Sequence, residues 1–159
     1  MDGVSLRKAG AADIPYIMAT ERLPGYEQVL GRFAEERHLR LISDPTWSYH
    51  VADGIGFVIF NELDDRDGNY SLKRFAVERM SSGLGSILMP LALDWLFSNT
   101  AAHRLWLHHI DGNEAAHRLY AKFSFQQEGR KREAVARADG SRADLVLMSI
   151  LRPEWAARR

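Results

Sequence analysis

Between residues 70 and 110 the hydrophobic period of the chain changes twice, and no other feature constrains the fold as much. Tyr70–Val77 alternates as a strand does. Leu84, Ile87, Leu88, Leu91 and Trp95 then recur at helical spacing to about Asn99, and Arg104–Ile110 alternates again. A strand, a helix and a second strand join by a right-handed crossover, so the two strands are expected to lie parallel in one sheet. The turn from strand into helix is where chemistry is to be sought.

Signals on either side extend the sheet. Trp47–Ala52 and Ile55–Asn61 flank Asp53-Gly54, a dipeptide suited to the positive φ values of a tight hairpin. With Tyr70–Val77 they make an antiparallel meander. Upstream, Val4–Arg7 reads as a short strand, Ile14, Ile17 and Met18 open a helix that Leu23-Pro24-Gly25 breaks, and about Glu27–Arg40 reads as a second helix carrying Val29, Leu30 and Phe33. Downstream come a helix at Asn113–Phe123 and strands at Phe125–Glu128 and Ala143–Leu151. The order β-α-α-β-β-β-α-β-α-β-β is that of a mixed α+β sheet with helices on its faces. No repeat or linker interrupts the 159 residues, so one domain over 1–159 is expected. Without cysteine there is no disulfide, thiolate metal site or Cys nucleophile, and His38, His50, His103 and His117 show no metal spacing. No apolar run approaches a bilayer span or a signal peptide, so no membrane association and a cytoplasmic location are expected.

Between the strand ending at Val77 and the helix stands Glu78-Arg79-Met80-Ser81-Ser82-Gly83-Leu84-Gly85-Ser86. A glycine loop opening a helix presents unpaired N–H groups and the positive end of the helix dipole to an anion. The P-loop lysine is absent and Leu88 stands where a third glycine would complete GxGxxG, so two glycines easing a helix start explain the loop equally well. Thirty residues on, Asn113 is suited to cap the helix that carries Ala116, Leu119, Tyr120 and Phe123 on one face. By itself Tyr120 reads as a core aromatic.

Taken together, the two segments resemble the GNAT (Gcn5-related) N-acetyltransferase superfamily. Gly83 and Gly85 match its glycine loop, while Asn113, Ala116, Leu119, Tyr120 and Phe125 match its downstream pattern Asn-x-x-Ala-x-x-Leu-Tyr-x-x-x-Gly-Phe. The tail, from Phe125-Gln126-Gln127-Glu128-Gly129 to Asp144–Ser149, resembles the ribosomal-protein N-acetyltransferase-like branch. Met80 in place of Gln/Arg, Ser124 in place of Gly, and Pro90 inside the long helix depart from the pattern; Pro90 is expected to kink it. The resemblance implies a central twisted mixed sheet of about seven strands with about four helices, splayed open at the cofactor site. It also implies direct attack of a primary amine, on a small molecule such as a polyamine or antibiotic or on a protein N-terminus, upon acetyl-CoA in a ternary complex.

Residue by residue, the resemblance implies that the N–H groups of Ser81, Ser82, Gly83, Leu84, Gly85 and Ser86 hold the pyrophosphate, with Arg79 adding charge. The backbone of Phe75, Ala76 and Val77 pairs with pantetheine, and the Val77 N–H meets the carbonyl oxygen. Tyr120, with an intrinsic pKa of about 10, protonates the leaving thiolate, and Asn113 caps or binds on the cofactor side. His108 stands where some relatives carry a glutamate base; a sheet histidine with water carrying the proton is the other reading, and His109 lies on the opposite face. Glu21 and Tyr26, in the turn between the first two helices, are candidate acceptor contacts, against a helix cap and a core tyrosine.

The net charge of zero disfavours nucleic acid as a partner. It hides a division: residues 1–67 carry 7 Lys/Arg against 12 Asp/Glu, and residues 68–159 carry 14 against 9. Under the acetyltransferase reading the basic part suits the cofactor phosphates and the acidic part a cationic acceptor. A non-catalytic acyl-CoA-binding sensor is the alternative function, and a homodimer through the C-terminal strands is expected from the family alone.

Overall fold

The computed structural model describes residues 3–27 and 29–159. Seven strands, β1 (Arg7–Lys8), β2 (Ser48–Ala52), β3 (Gly56–Asn61), β4 (Asn69–Val77), β5 (Arg104–Ile110), β6 (Gln126–Ala136) and β7 (Arg142–Leu151), form one sheet in the order β1-β2-β3-β4-β5-β7-β6. The helices are α1 (Ile14–Glu21), α2 (Glu35–Leu41), α3 (Leu84–Asn99), α4 (Glu114–Lys122) and α5 (Arg152–Ala156). β4 and β5 are parallel, as the crossover through α3 requires, and the remaining pairs are antiparallel.

Helices cover both faces, so β2 is buried at every position and β3 at all but Asn61. Period two divides their side chains between two cores. Tyr49, Val51, Phe57 and Ile59 pack with Ile17 of α1 and Leu41 of α2, while Ala52, Val58 and Phe60 pack with Leu88, Ala92 and Leu96 of α3 and Tyr120 of α4.

The sheet opens at one place. Ile59 pairs with Arg74 but the next β3 residue, Phe60, pairs with Leu72, so Lys73 is an extra residue bulged out of the β4 ladder. A bulge bends its strand and steepens its twist. Pairing between β4 and β5 covers Asn69↔Arg104, Tyr70↔Leu105 and Ser71↔Trp106 and stops there, one residue short of the pair that flanks the bulge. From Leu72 to Val77 the β5-facing edge of β4 has no strand beside it.

Three expectations need correction. The first strand is Arg7–Lys8, not Val4–Arg7. The second helix begins at Glu35: residues 29–34 are irregular chain, and Gln28 lies outside the described residues. The apolar spacing of Val29, Leu30 and Phe33 mimics a helix, yet Gly31 sits among them because a Cβ there would overlap the guanidinium of Arg74. β6 runs on to Ala136, two irregularities breaking its register against β7. Pro90 lies inside α3, which runs to Asn99 as expected.

Candidate active site

The glycine loop has the geometry of an anion cradle. Gly83 takes the left-handed conformation at the N-cap of α3 (φ 83°) and offers no side-chain cap, so the first N–H groups of the helix are left for a ligand. Gly85 brings the helix against α4: a Cβ there would stand 3.0 Å from Leu119 Cδ2. Lys122 Nζ donates to Ser86 Oγ at 2.9 Å, tying the two helices at the same point. A cavity of about 390 Å³ starts at this loop and runs into the opening between β4 and β5. Its wall includes Phe75, Val77, Arg79, Asn113, Arg118, Tyr120 and Lys122 and, among the described residues, no carboxylate.

Asn113 caps α4 as expected, its Oδ1 accepting from the Ala116 N–H at 3.3 Å. Capping sets the rotation of the helix, and Tyr120 is its one buried residue. The Tyr120 ring meets Phe75 edge-on at 6.5 Å and packs on Phe125 at 5.6 Å, with His109 at 6.1 Å. Burial, with a smaller push from Tyr26, raises its hydroxyl well above the ordinary tyrosine range, so the proton stays on. Ser124, where the motif has Gly, takes φ 74°, which accounts for the family's preference at that position.

On the far side of the opening lies a second cavity of about 750 Å³, bounded by residues 29–31, the middle of β4, β5 and the end of β6. Lys73, Arg74, His108 and His109 belong to both walls, so the cavities meet there. His108 shares a face with Trp106, their rings 5.0 Å apart, and its Nε2 is buried without a hydrogen-bond partner among the described residues. Burial first, then Lys131 and Lys73, push its pKa below the usual histidine value, leaving a neutral ring at physiological pH. His109 is spoken for: Nδ1 meets the Ile110 carbonyl at 3.0 Å and Nε2 meets His117 Nδ1 at 3.0 Å.

A family model described as the acetyltransferase (GNAT) family matches residues 18–125, more than half of the chain. The chain belongs to the GNAT acetyltransferase family. Solved structures agree on the fold. The spermidine N-acetyltransferase of Vibrio cholerae in complex with CoA and spermine matches with a TM-score of 0.85 and 21% identity, covering 98% of this chain and 99% of that one. A dodecameric structure of spermidine N-acetyltransferase from the same organism matches with a TM-score of 0.80 and 21% identity over 99% of each chain. As a GNAT enzyme the protein is an acetyl-CoA-dependent N-acetyltransferase that moves an acetyl group to an amine. No helix among the described residues is long and apolar enough to cross a membrane.

Against that frame three expected residues stand differently. Glu21 is not at a cavity wall. It is completely buried, with Oε1 accepting from His38 Nε2 at 2.8 Å, Arg22 Nη1 at 2.6 Å and the Phe33 N–H at 3.3 Å. It ends α1 on the inward face, where residues 33–38 close over it, so it meets protein donors and no acceptor. The Val77 N–H is donated to the Tyr26 hydroxyl at 3.0 Å, and that hydroxyl donates back to the Val77 carbonyl at 3.1 Å. Tyr26 is at the cofactor cavity wall, but as the group that covers the β4 edge. The acidic part of the chain does not line the acceptor side either: of the carboxylates in residues 1–67, Glu27 alone reaches either cavity wall among the described residues.

Several wall residues escaped the sequence reading. Lys73 and Arg74 carried a signal, since two consecutive cations in the middle of an otherwise apolar strand are out of place unless something there uses them. Arg118 and Lys122 sit one turn apart on α4, on the side of the glycine loop. Arg137 carried none.

Proposed function

We propose that the protein acetylates a primary amine held in the 750 Å³ cavity, with the acetyl thioester reaching it through the gap between β4 and β5, in one domain that carries both sites. The observation that carries this reading is the meeting of the two cavities at His108. A neutral imidazole at the junction, its Nε2 unengaged, takes a proton from the bound ammonium, directly or through water, and so frees the nitrogen lone pair that then attacks the acyl carbon. Acetyl-CoA supplies the activated acyl carbon and a thiol as leaving group. Ser81–Ser86 and the cations Arg79, Arg118 and Lys122 hold its phosphates. Phe75 presents the β4 edge to the pantetheine arm, since Val77 and Phe75, two apart, turn the same backbone edge outward.

Tyr120 gives its proton to the departing thiolate. A hydroxyl held protonated by burial has its proton in place at any pH at which the thiol, with an ordinary pKa of about 8.5, needs one; because the same burial makes it the weaker acid, the proton passes as the C–S bond breaks, and the tyrosinate is reprotonated from solvent. The Val77 N–H serves the carbonyl oxygen when the Tyr26 hydroxyl moves off it, so Tyr26 acts as a removable cover for the oxyanion donor. Spermine occupies a complex of the structural neighbour, and a dodecamer is among its forms. For this chain the branch resemblance supports a homodimer through β6 and β7, and the acceptor cavity does not favour polyamines. Its wall carries Lys73, Arg74 and Arg137 against Glu27 and Asp139.

The deciding experiment incubates the protein with acetyl-CoA and a panel of amines, amino acids, aminoglycosides and peptides with free N-termini, following CoA release and the mass of the acceptor. Acetyl on a primary nitrogen is the expected result. Tight CoA binding without transfer to any amine contradicts the reading.

A further inference from the structure

The wall of the acceptor cavity carries three cationic side chains against two carboxylates, and among the described residues none of the three cations is paired with a carboxylate. Arg74 lies under residues 29–33, its guanidinium 4.5 Å from the centre of the Phe33 ring and packed against Gly31. Its Nη1 donates to the Lys73 carbonyl at 3.0 Å, and its Nε is buried without a partner. Arg137, at the end of β6 on the opposite wall, likewise has a buried, unpartnered Nε. Lys73, bulged from β4, is exposed at the side-chain level and joins them on the wall. Among the described residues none of the three has a carboxylate within 4.0 Å.

Nearby carboxylates are committed. Glu27 accepts from the Gly25 N–H at 2.6 Å and Asp139 from the Ser141 N–H at 2.9 Å, each in its own exposed turn. Glu21 attracts Arg74 through space, but its Oε1 is bound to His38, Arg22 and Phe33, and its Oε2, buried without a partner among the described residues, forms no ion pair with the guanidinium. Burial, opposed by Glu21, lowers the Arg74 pKa, the signature of a cation short of solvation. A desolvated cation without a counter-ion is unfavourable, and a ligand anion that supplies two acceptor oxygens relieves the cost. Guanidinium groups suit this task because their donors match carboxylate and phosphate geometry.

We propose that the acceptor is an amine carrying a negatively charged group, a carboxylate or a phosphate, which Arg74, Arg137 and Lys73 bind while the amine faces His108. The amine half of this statement rests on the acetyltransferase reading; the anion half rests on the cavity alone. A cationic polyamine would set like charges against each other in the same space.

The test measures binding of β-alanine, O-phosphoethanolamine, ethanolamine and putrescine to the CoA-loaded protein, and separately their acetylation with acetyl-CoA. Binding of β-alanine or O-phosphoethanolamine at least tenfold tighter than ethanolamine is expected, and whichever of the two leads tells carboxylate from phosphate. Arg137→Met, whose side chain lines the acceptor cavity and not the cofactor cavity, should erase that preference with CoA affinity unchanged, and Arg74→Met, read by the amine preference alone, serves if the first variant fails to fold. Ethanolamine or putrescine binding as well as the anionic amines, no anionic amine binding at all, or a preference undiminished in the folded variants, overturns the proposal. Preferential binding of the anionic amines without acetylation of any of the four contradicts the functional reading and leaves the anion site standing.

Discussion

The two flanks of the opening between β4 and β5 are built by different means. The cofactor flank is made of backbone: a left-handed glycine, the exposed start of α3, the unpaired edge of β4 and a helix rotated into place by its Asn113 cap. The acceptor flank is made of side chains from the irregular stretch 29–34, the bulge at Lys73 and the far end of β6, brought together only by the completed fold. Backbone devices need particular residues at fixed local spacing and therefore leave motifs. Side-chain walls need only charge and shape at points distant in sequence, and those leave none.

The sharpest way to break the contrast is to remove the support under the acceptor flank. Glu21→Gln takes the charge from a buried carboxylate that holds both His38 and the Phe33 N–H, and should cost about 3 kcal/mol of stability, read by urea denaturation. Burial pushes this carboxyl up, but His38, Arg22 and the Phe33 N–H together hold it below the usual glutamate value. Its folded pKa is thus depressed, so its stabilisation is present above the unfolded value and lost as pH falls through the folded one; the variant should lose that acid dependence. An unchanged melt would show that the 29–34 segment stands without it.

Next in size is Tyr120→Phe, expected to lower kcat tens to hundreds of times, about 2 to 3 kcal/mol, with CoA affinity retained. Unaltered turnover removes Tyr120 from the proton transfer. His108→Gln should reduce kcat/KM roughly tenfold or more and alter its pH profile. Because the His108 pKa lies below the usual histidine value, the imidazole is neutral above about 6.5, and the wild-type rate attributable to it falls only as pH drops below that point. The variant should lack this acid limb; a limb that persists belongs to another group. On the cofactor flank, Gly83→Ala meets no atom within 4 Å and pays only for the left-handed backbone, about 1 kcal/mol, so KM for acetyl-CoA should rise about fivefold with acceptor KM unmoved. The smallest effect is expected for Tyr26→Phe, which uncovers the Val77 N–H: kcat should stay within about threefold, whereas a large loss would make the hydroxyl itself a participant.

How far the sequence foretold the molecule follows the same division. The crossover, the meander, the parallel β4–β5 pair and the glycine loop were legible because period, turn chemistry and capping act over a few residues. The Asn113 cap and the place of Tyr120 at the cavity wall were legible through their motif. The segment 29–34 was misread as helix since its apolar residues fall at helical spacing, although they face a cavity and a core from irregular chain. Glu21 was misread because a carboxylate beside a turn looks exposed; its burial depends on His38, seventeen residues away and in another helix. Net charge misled for a related reason. The acidic surplus of residues 1–67 is spent on turns and ion pairs such as Arg7 with Asp13 and Asp53, and the wall of the proposed acceptor cavity carries more cations than carboxylates.

That the two flanks act at once, on two substrates held together, is the claim on which the rest depends. Initial velocities measured with acetyl-CoA and an accepted amine both varied test it most directly. Intersecting double-reciprocal lines, with no acetyl group retained by the protein when acetyl-CoA is supplied alone, are the predicted result. Parallel lines together with an acetylated protein would contradict it.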